Sequence, residues 1–187
     1  MICPTFWPCR QSTKFQVMSD LHLETIQYEF DIPKSAPNLI LAGDIGRLSD
    51  IDRYAAFLSK CQQFERILLV PGNHEFYGSS REQGIKLAKR LEDGIPNLTI
   101  MNRKRVDIGN ITILGCTLHS RISSNARKTM DFSRIFGWTV QNHNEEHDRD
   151  VSWLKNAVEL ISVKNPAQRI IVVTHYAPSF EKTCHPD

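Results

Sequence analysis

The sequence predicts an α/β domain built on a parallel sheet, and three features lead there. Short apolar runs alternate with helically spaced segments, in the β-α-β-α order that a parallel sheet requires. Four of those runs end in Asp, His or Asn, as happens where ligands gather at the carboxyl edge of such a sheet. At 187 residues the chain is long enough to bury a core without disulfide staples.

In chain order, Phe15-Gln16-Val17-Met18 is the first strand and Asn38-Leu39-Ile40-Leu41-Ala42 the second. Apolar residues at 51, 54, 55, 58 and 61 have helix spacing. Ile67-Leu68-Leu69-Val70 is the third strand, stopped by Pro71-Gly72. Ile85, Ala88 and Leu91 mark a second helix, ended near Gly94 and Pro96. A β-like stretch follows in Leu98–Met101, Val106–Ile108 and Ile111–Leu118, with Gly109-Asn110 as the turn between the last two. Ser120–Asp150 is polar without a clear period and reads as a long excursion over the surface. Val151, Leu154, Val158 and Ile161 predict a helix, and Arg169–Val173 a last buried strand. The domain is expected over 14–187, after a leader, 1–13, that carries two prolines and two cysteines.

Composition removes several functions. Lys plus Arg number 23 against 21 for Asp plus Glu, a formal charge of +2, so nothing points to nucleic acid or an anionic membrane. No apolar stretch approaches the roughly 18–20 residues of a membrane span. The first ten residues lack the charged n-region of a signal peptide, so a soluble cytoplasmic protein is expected. The five cysteines are scattered with no C-x-x-C, which leaves free thiols as the expectation. Asn97-Leu98-Thr99 and Asn110-Ile111-Thr112 match the glycosylation sequon and are read as chance.

Chemistry concentrates just past the strands. The first delivers Ser19-Asp20-Leu21-His22, the second Gly43-Asp44, the third Pro71-Gly72-Asn73-His74-Glu75 and the last Thr174-His175-Tyr176. Asp, His and Asn are oxygen and nitrogen donors, suited to Mn, Fe or Zn. Asp20 and His22 stand two apart, so on an extended backbone they point the same way and can grip one ion. A single carboxylate such as Asp44 can bridge two ions, and a bridged pair can activate water for displacement at phosphorus. Alone, Asp20 reads as a cap and Asn73 as a turn residue. Four coincidences in order argue otherwise.

His119 is expected to be solvated or hydrogen-bonded, and Arg47, Arg81, Arg121 and Arg127 are expected to be mostly surface charges. His143-Asn144-Glu145-Glu146-His147 fits the H-x-x-E-H metallopeptidase pattern. A peptidase would leave the strand-end motifs unexplained, so the segment is read as a solvated lead-in to the helix near Val151.

Asp-x-His, Gly-Asp, Gly-Asn-His-Glu and a later strand-end His, in that order, resemble the calcineurin-like metallophosphoesterase superfamily from about Lys14 onward. The resemblance implies a β-sandwich flanked by helices and a dinuclear site for two divalent ions. Asp20 and His22 would hold the first ion, Asp44 would bridge, and Asn73 and His175 would hold the second. His74 would act on the phosphoryl oxygens or protonate the leaving group. The family's later Gly-His-x-His motif, one histidine for each ion, is absent. His185 follows His175 by only ten residues. The expectation is therefore a C-terminally truncated fold with weakened metal binding and impaired turnover; the alternative is a non-catalytic relative or fragment that serves as a binding module. Protein phosphatases of the superfamily carry Gly-Asp-x-x-Asp-Arg-Gly and Arg-Gly-Asn-His-Glu. Here Arg47 falls one residue early and Val70-Pro71 precedes Gly72. That favours small phosphomonoesters or phosphodiesters as substrates.

Overall fold

The computed structural model describes residues 13–123 and 129–179. The expected leader thus lies outside the described residues except for Thr13, and so do Arg127 and His185. Four parallel strands, β1 (Phe15–Met18), β2 (Asn38–Leu41), β3 (Arg66–Leu69) and β4 (Leu98–Ile100), lie side by side in chain order. Helix α1 (Ile51–Lys60) joins β2 to β3, and α2 (Arg81–Gly94) joins β3 to β4. Ser80 caps α2 by accepting from the Gln83 N–H at 3.2 Å, which starts the helix ahead of its first apolar residue.

A second sheet pairs β5 (Lys104–Ile108) antiparallel with β6 (Ile111–Cys116), and β6 parallel with β7 (Arg169–Thr174). Strand alternation places the two sheets face to face. Leu39, Leu41, Ile67 and Leu69 pack on one side against Tyr54, Phe57 and Leu58 of α1 and Ala88 and Leu91 of α2. Ile40 and Leu68 point the other way, into a layer with Met101, Ile111 and Ile113. Each such side chain removed from water contributes roughly 1.5–3 kcal/mol. The central strands are buried on both faces, so they read as continuous apolar runs.

The segment after β6 corrects the expected surface excursion. It contains a short helix, α3 (Asp131–Arg134), and a 25-residue helix, α4 (Val140–Lys164), that begins well before Val151. Thr139 starts α4 with a capping box: its hydroxyl accepts from the Asn142 N–H, and Asn142 Oδ1 accepts from the Thr139 N–H. The first turns of α4 bury His143, Glu146 and Asp150. The helical period is there, carried by polar residues instead of apolar ones. No helix among the described residues is long and apolar enough to cross a membrane.

Candidate metal centre

The carboxyl ends of β1, β2, β3 and β7 converge. Beyond β1 the chain keeps pairing with the loop after β2: the N–H groups of Asp20, His22 and Leu23 donate to the carbonyls of Gly43, Asp44 and Ile45 at 2.9–3.0 Å. Asp20, His22 and Asp44 all sit at positive φ, 54°, 45° and 53°. A left-handed, non-glycine residue costs roughly 1–3 kcal/mol and tends to mark a functional site. The extended backbone expected for Asp20 and His22 is therefore not what joins them. The turn does, and it brings ligand atoms of Asp20, His22 and Asp44 within 4.8 Å of one another.

Asp44 is the hub. Its Oδ1 accepts from the His74 N–H at 2.9 Å and lies 3.4 Å from His175 Nε2. His175 Nε2 also stands 3.2 Å from Asn73 Oδ1, and its Nδ1 lies 3.1 Å from the Ala42 carbonyl. The loops approach so closely that glycine is required. A Cβ on Gly72 would meet Asp44 Oδ1 at 2.2 Å, and one on Gly43 would meet His175 Nδ1 at 2.4 Å. Burial opposes charge on both partners, yet their contact holds the Asp44 carboxyl low and the His175 imidazole up at about 9. The Asp44–His175 half is buried, whereas Asp20 is exposed and His22 half-exposed. Thr117 binds the second sheet to this edge: its hydroxyl donates to the Pro71 carbonyl, and its carbonyl accepts from the Tyr176 N–H.

Three acidic residues to which the sequence assigned no role support the site: Glu75, read only as the end of its motif, Glu24 and Asp131. Glu75 is fully buried and accepts from the N–H groups of Asp44 and Gly72 on one oxygen, at 2.9 and 2.7 Å. Its other oxygen accepts from the Ile45 N–H at 2.9 Å, the Tyr54 hydroxyl at 3.0 Å and, more weakly, the Gly46 N–H at 3.4 Å. It thereby ties the loop after β2 to the loop after β3. Burial and the Asp44 carboxylate raise its pKa, while the backbone donors oppose that. Glu24, nearly buried, places Oε1 3.0 Å from His74 Nδ1, with Arg47 Nε at 3.7 Å. That contact raises the His74 pKa against the effect of burial, and Asp44 adds to it. His74 Nδ1 also lies 3.2 Å from His22 Nδ1, and its ring stacks on Tyr77 at 4.2 Å. With Nδ1 turned to Glu24, Nε2 stands 3.9 Å from Asp44 Oδ2. Asp131 is the third, buried beside Asn73. Glu24 continues the alternate spacing of Asp20 and His22, the one hint that sequence offered for it.

The H-x-x-E-H segment lies on α4 and forms no metal cluster among the described residues. His143 Nε2 is 2.7 Å from the Ser120 carbonyl, and the His147 ring bonds the His119 carbonyl. Glu146 is held by Arg81 and Arg149 at 2.7 Å and by Arg103 at 2.9 Å. Hence the expected solvated lead-in is corrected, because backbone carbonyls and arginines bury those side chains. Arg81 is likewise no surface charge, since it lies beside Glu146 with its guanidinium over the Phe76 ring at 4.7 Å. His119 is also corrected: it is buried, and neither ring nitrogen has a hydrogen-bond partner among the described residues. Packing against Trp138, His143 and Tyr176 accounts for its burial, which pushes its pKa well down.

The donor set fits divalent cations. Among the described residues, carboxylates, imidazoles and an amide oxygen converge here without a thiolate. A sandwich of a parallel and a mixed sheet, with such donors at its strand ends, defines a metal-dependent phosphoesterase architecture. A family model, calcineurin-like phosphoesterase, matches residues 13–187, and the chain belongs to that family of hydrolases. An uncharacterized protein, L509, of Acanthamoeba polyphaga mimivirus is 26% identical over 196 aligned positions, covering 87% of this chain and 67% of the relative. The crystal structure of the phosphopantetheinyl hydrolase PptH from Mycobacterium tuberculosis shares the fold, with a TM-score of 0.64 at 17% identity. That match covers 87% of this chain and 68% of the neighbour.

Proposed function

We propose that this chain hydrolyses small phosphomonoesters or phosphodiesters through two divalent ions of Mn, Fe or Zn. Asp20 and His22 would hold the first, Asn73 and His175 the second, and Asp44 would serve both. The observation that carries this reading is the double membership of Asp44, grouped with Asp20 and His22 on one side and in contact with His175 on the other. The ions, when bound, polarise the phosphoryl oxygens and lower the pKa of the attacking water. The chain supplies the remainder. His74, made more basic by its contact with Glu24, would donate a proton to the leaving oxygen as the P–O ester bond breaks, while a water oxygen takes its place at phosphorus and gives up its own proton to solvent. Glu75 and the two glycines fix the loops that carry Asp44 and Asn73. Cys61 and Cys116 are buried free thiols, which supports a cytoplasmic setting.

The test pairs two substitutions, read by metal analysis after dialysis and by hydrolysis of an aryl phosphate and a bis-aryl phosphodiester with manganese. Asp44→Asn is expected to lower both metal content and turnover. His74→Asn is expected to lower turnover by about 10²–10⁴-fold while both ions stay bound. A His74→Asn protein that loses its metals would overturn this division of roles.

A further inference from the structure

Asn73 is an amide, and an amide presents an oxygen on one side and two N–H donors on the other. Only the oxygen can ligate a cation, so something must decide which way the group faces. Asn73 Nδ2 lies 2.9 Å from Asp131 Oδ1 and 3.3 Å from the Tyr77 hydroxyl, so both of its hydrogens have acceptors. The Tyr77 hydroxyl itself donates to Asp131 Oδ1 at 2.7 Å. The carboxylate is an acceptor only, and it therefore fixes the sense of the whole chain of bonds. Asn73 Oδ1 is left facing His175 Nε2 at 3.2 Å.

The second oxygen of Asp131 reaches the other side of the site. Tyr176, next to His175, directs its hydroxyl to Asp131 Oδ2 at 3.4 Å. One buried carboxylate thus contacts the loop after β3, through Asn73 and Tyr77, and the loop after β7, through Tyr176. It is delivered by α3, from the segment whose polar sequence gives no period. Tyr77 also stacks on His74, which extends the arrangement to that imidazole.

We propose that Asp131 is a positioning residue: it aims the Asn73 amide oxygen at the ion shared with His175 and fixes the two loops that hold that ion. This rests on the two-ion reading above. Removing the group that orients a ligand lowers metal affinity by about 10–100-fold. The loss should fall on the Asn73–His175 ion and spare the Asp20–His22 ion.

The experiment is a calorimetric titration of the metal-free chain with manganese chloride, after thermal melts in EDTA, for wild type and variants. Asn73→Ala tests the two-ion reading, and two sites in wild type with one lost in Asn73→Ala support it. Asp131→Ala is expected to weaken the same site about 10–100-fold and leave the other within about threefold. Asp131→Asn keeps an oxygen for Asn73 and Tyr77 and turns its amide hydrogens toward Tyr176, so it is expected to bind both ions nearly as wild type. If Asp131→Ala does not fold, the Asn73→Asp variant and the Asn73→Asp, Asp131→Asn double variant carry the test. Two facing carboxylates should weaken the site, and the exchanged pair should restore it at least tenfold. Wild-type affinity in Asp131→Ala, no recovery in Asp131→Asn, or no restoration in the exchanged pair overturns the positioning role. Two unchanged sites in Asn73→Ala instead overturn the two-ion reading, and the proposal with it.

Discussion

Glu75→Gln is the substitution whose cost follows most directly from geometry. Five donors surround the carboxylate: the N–H groups of Asp44, Ile45, Gly46 and Gly72 and the Tyr54 hydroxyl. A glutamine of the same shape must put an NH₂ where one oxygen stood. Facing one way it opposes the Asp44 and Gly72 N–H groups, and facing the other it opposes Ile45 and Gly46. Either way two backbone donors lose their acceptor in a fully buried place. At about 1–3 kcal/mol for each stranded group the loss is about 2–6 kcal/mol, a large share of the roughly 5–15 kcal/mol that holds a domain folded. For a chain of this size that lowers Tm by at least about 4 °C. The assay is urea unfolding in EDTA, so that metal does not enter the comparison, followed by metal analysis of the folded variant. A lower midpoint at unchanged slope, together with reduced metal content, is expected. An unchanged midpoint and full metal content would refute the view that Glu75 anchors the loops bearing Asp44 and Asn73.

Gly72→Ala should cut metal content and turnover while leaving helix content intact, because its Cβ would stand 2.2 Å from Asp44 Oδ1; wild-type activity would show that the loops yield freely. His143→Ala should cost about 1–3 kcal/mol in a thermal melt by leaving the Ser120 carbonyl without its partner, with metal content unchanged. Loss of stoichiometric zinc in that variant would revive the peptidase pattern. Burial works against Glu146, but Arg81 and Arg103 hold its pKa at about 2, below the ordinary 4.5. Its contribution to stability is therefore present above pH 4.5 and disappears as pH falls from 4.5 toward 2, by up to about 3 kcal/mol. Urea midpoints of wild type should fall more steeply over that window than those of Glu146→Gln; parallel curves would refute the assignment.

The centre of the sheet was legible because β2 and β3 are buried on both faces. Leu39-Ile40-Leu41 and Ile67-Leu68-Leu69 read as uninterrupted apolar runs for the same reason that their residues alternate between the helix layer and the second sheet. Helix α4 was legible only in its second half. From Val140 to Asp150 its inner stripe is His143, Glu146 and Asp150, which stay buried because Ser120, Arg81, Arg103 and the Leu118 N–H satisfy them. A search for apolar periodicity cannot see a stripe of paired polar residues. The Thr139-x-x-Asn142 cap was the available signal, one residue type removed from the usual Glu or Gln at its third position.

The site divides along the same line. Residues that stand directly after strands, Asp20, His22, Asp44, Asn73, His74 and His175, were accessible to reading because backbone direction alone carries them to the sheet edge. Those that orient them were not, since each arrives by a different route. Glu24 comes from a short helical turn beyond β1, Glu75 from the turn beyond Asn73, and Asp131 from α3, 58 residues after the amide it holds. Their role depends on what they accept from, and acceptor contacts across such separations leave no periodic trace in sequence. The turns just past β1 and β2 contribute strain of their own through the left-handed, non-glycine residues Asp20, His22 and Asp44. It follows that the buried carboxylates do much to define this centre, although Glu75 enters the sequence only as the end of Gly-Asn-His-Glu and Asp131 belongs to no short motif. Glu75 binds the loop after β2 to the loop after β3, and Asp131 links that second loop to the one after β7.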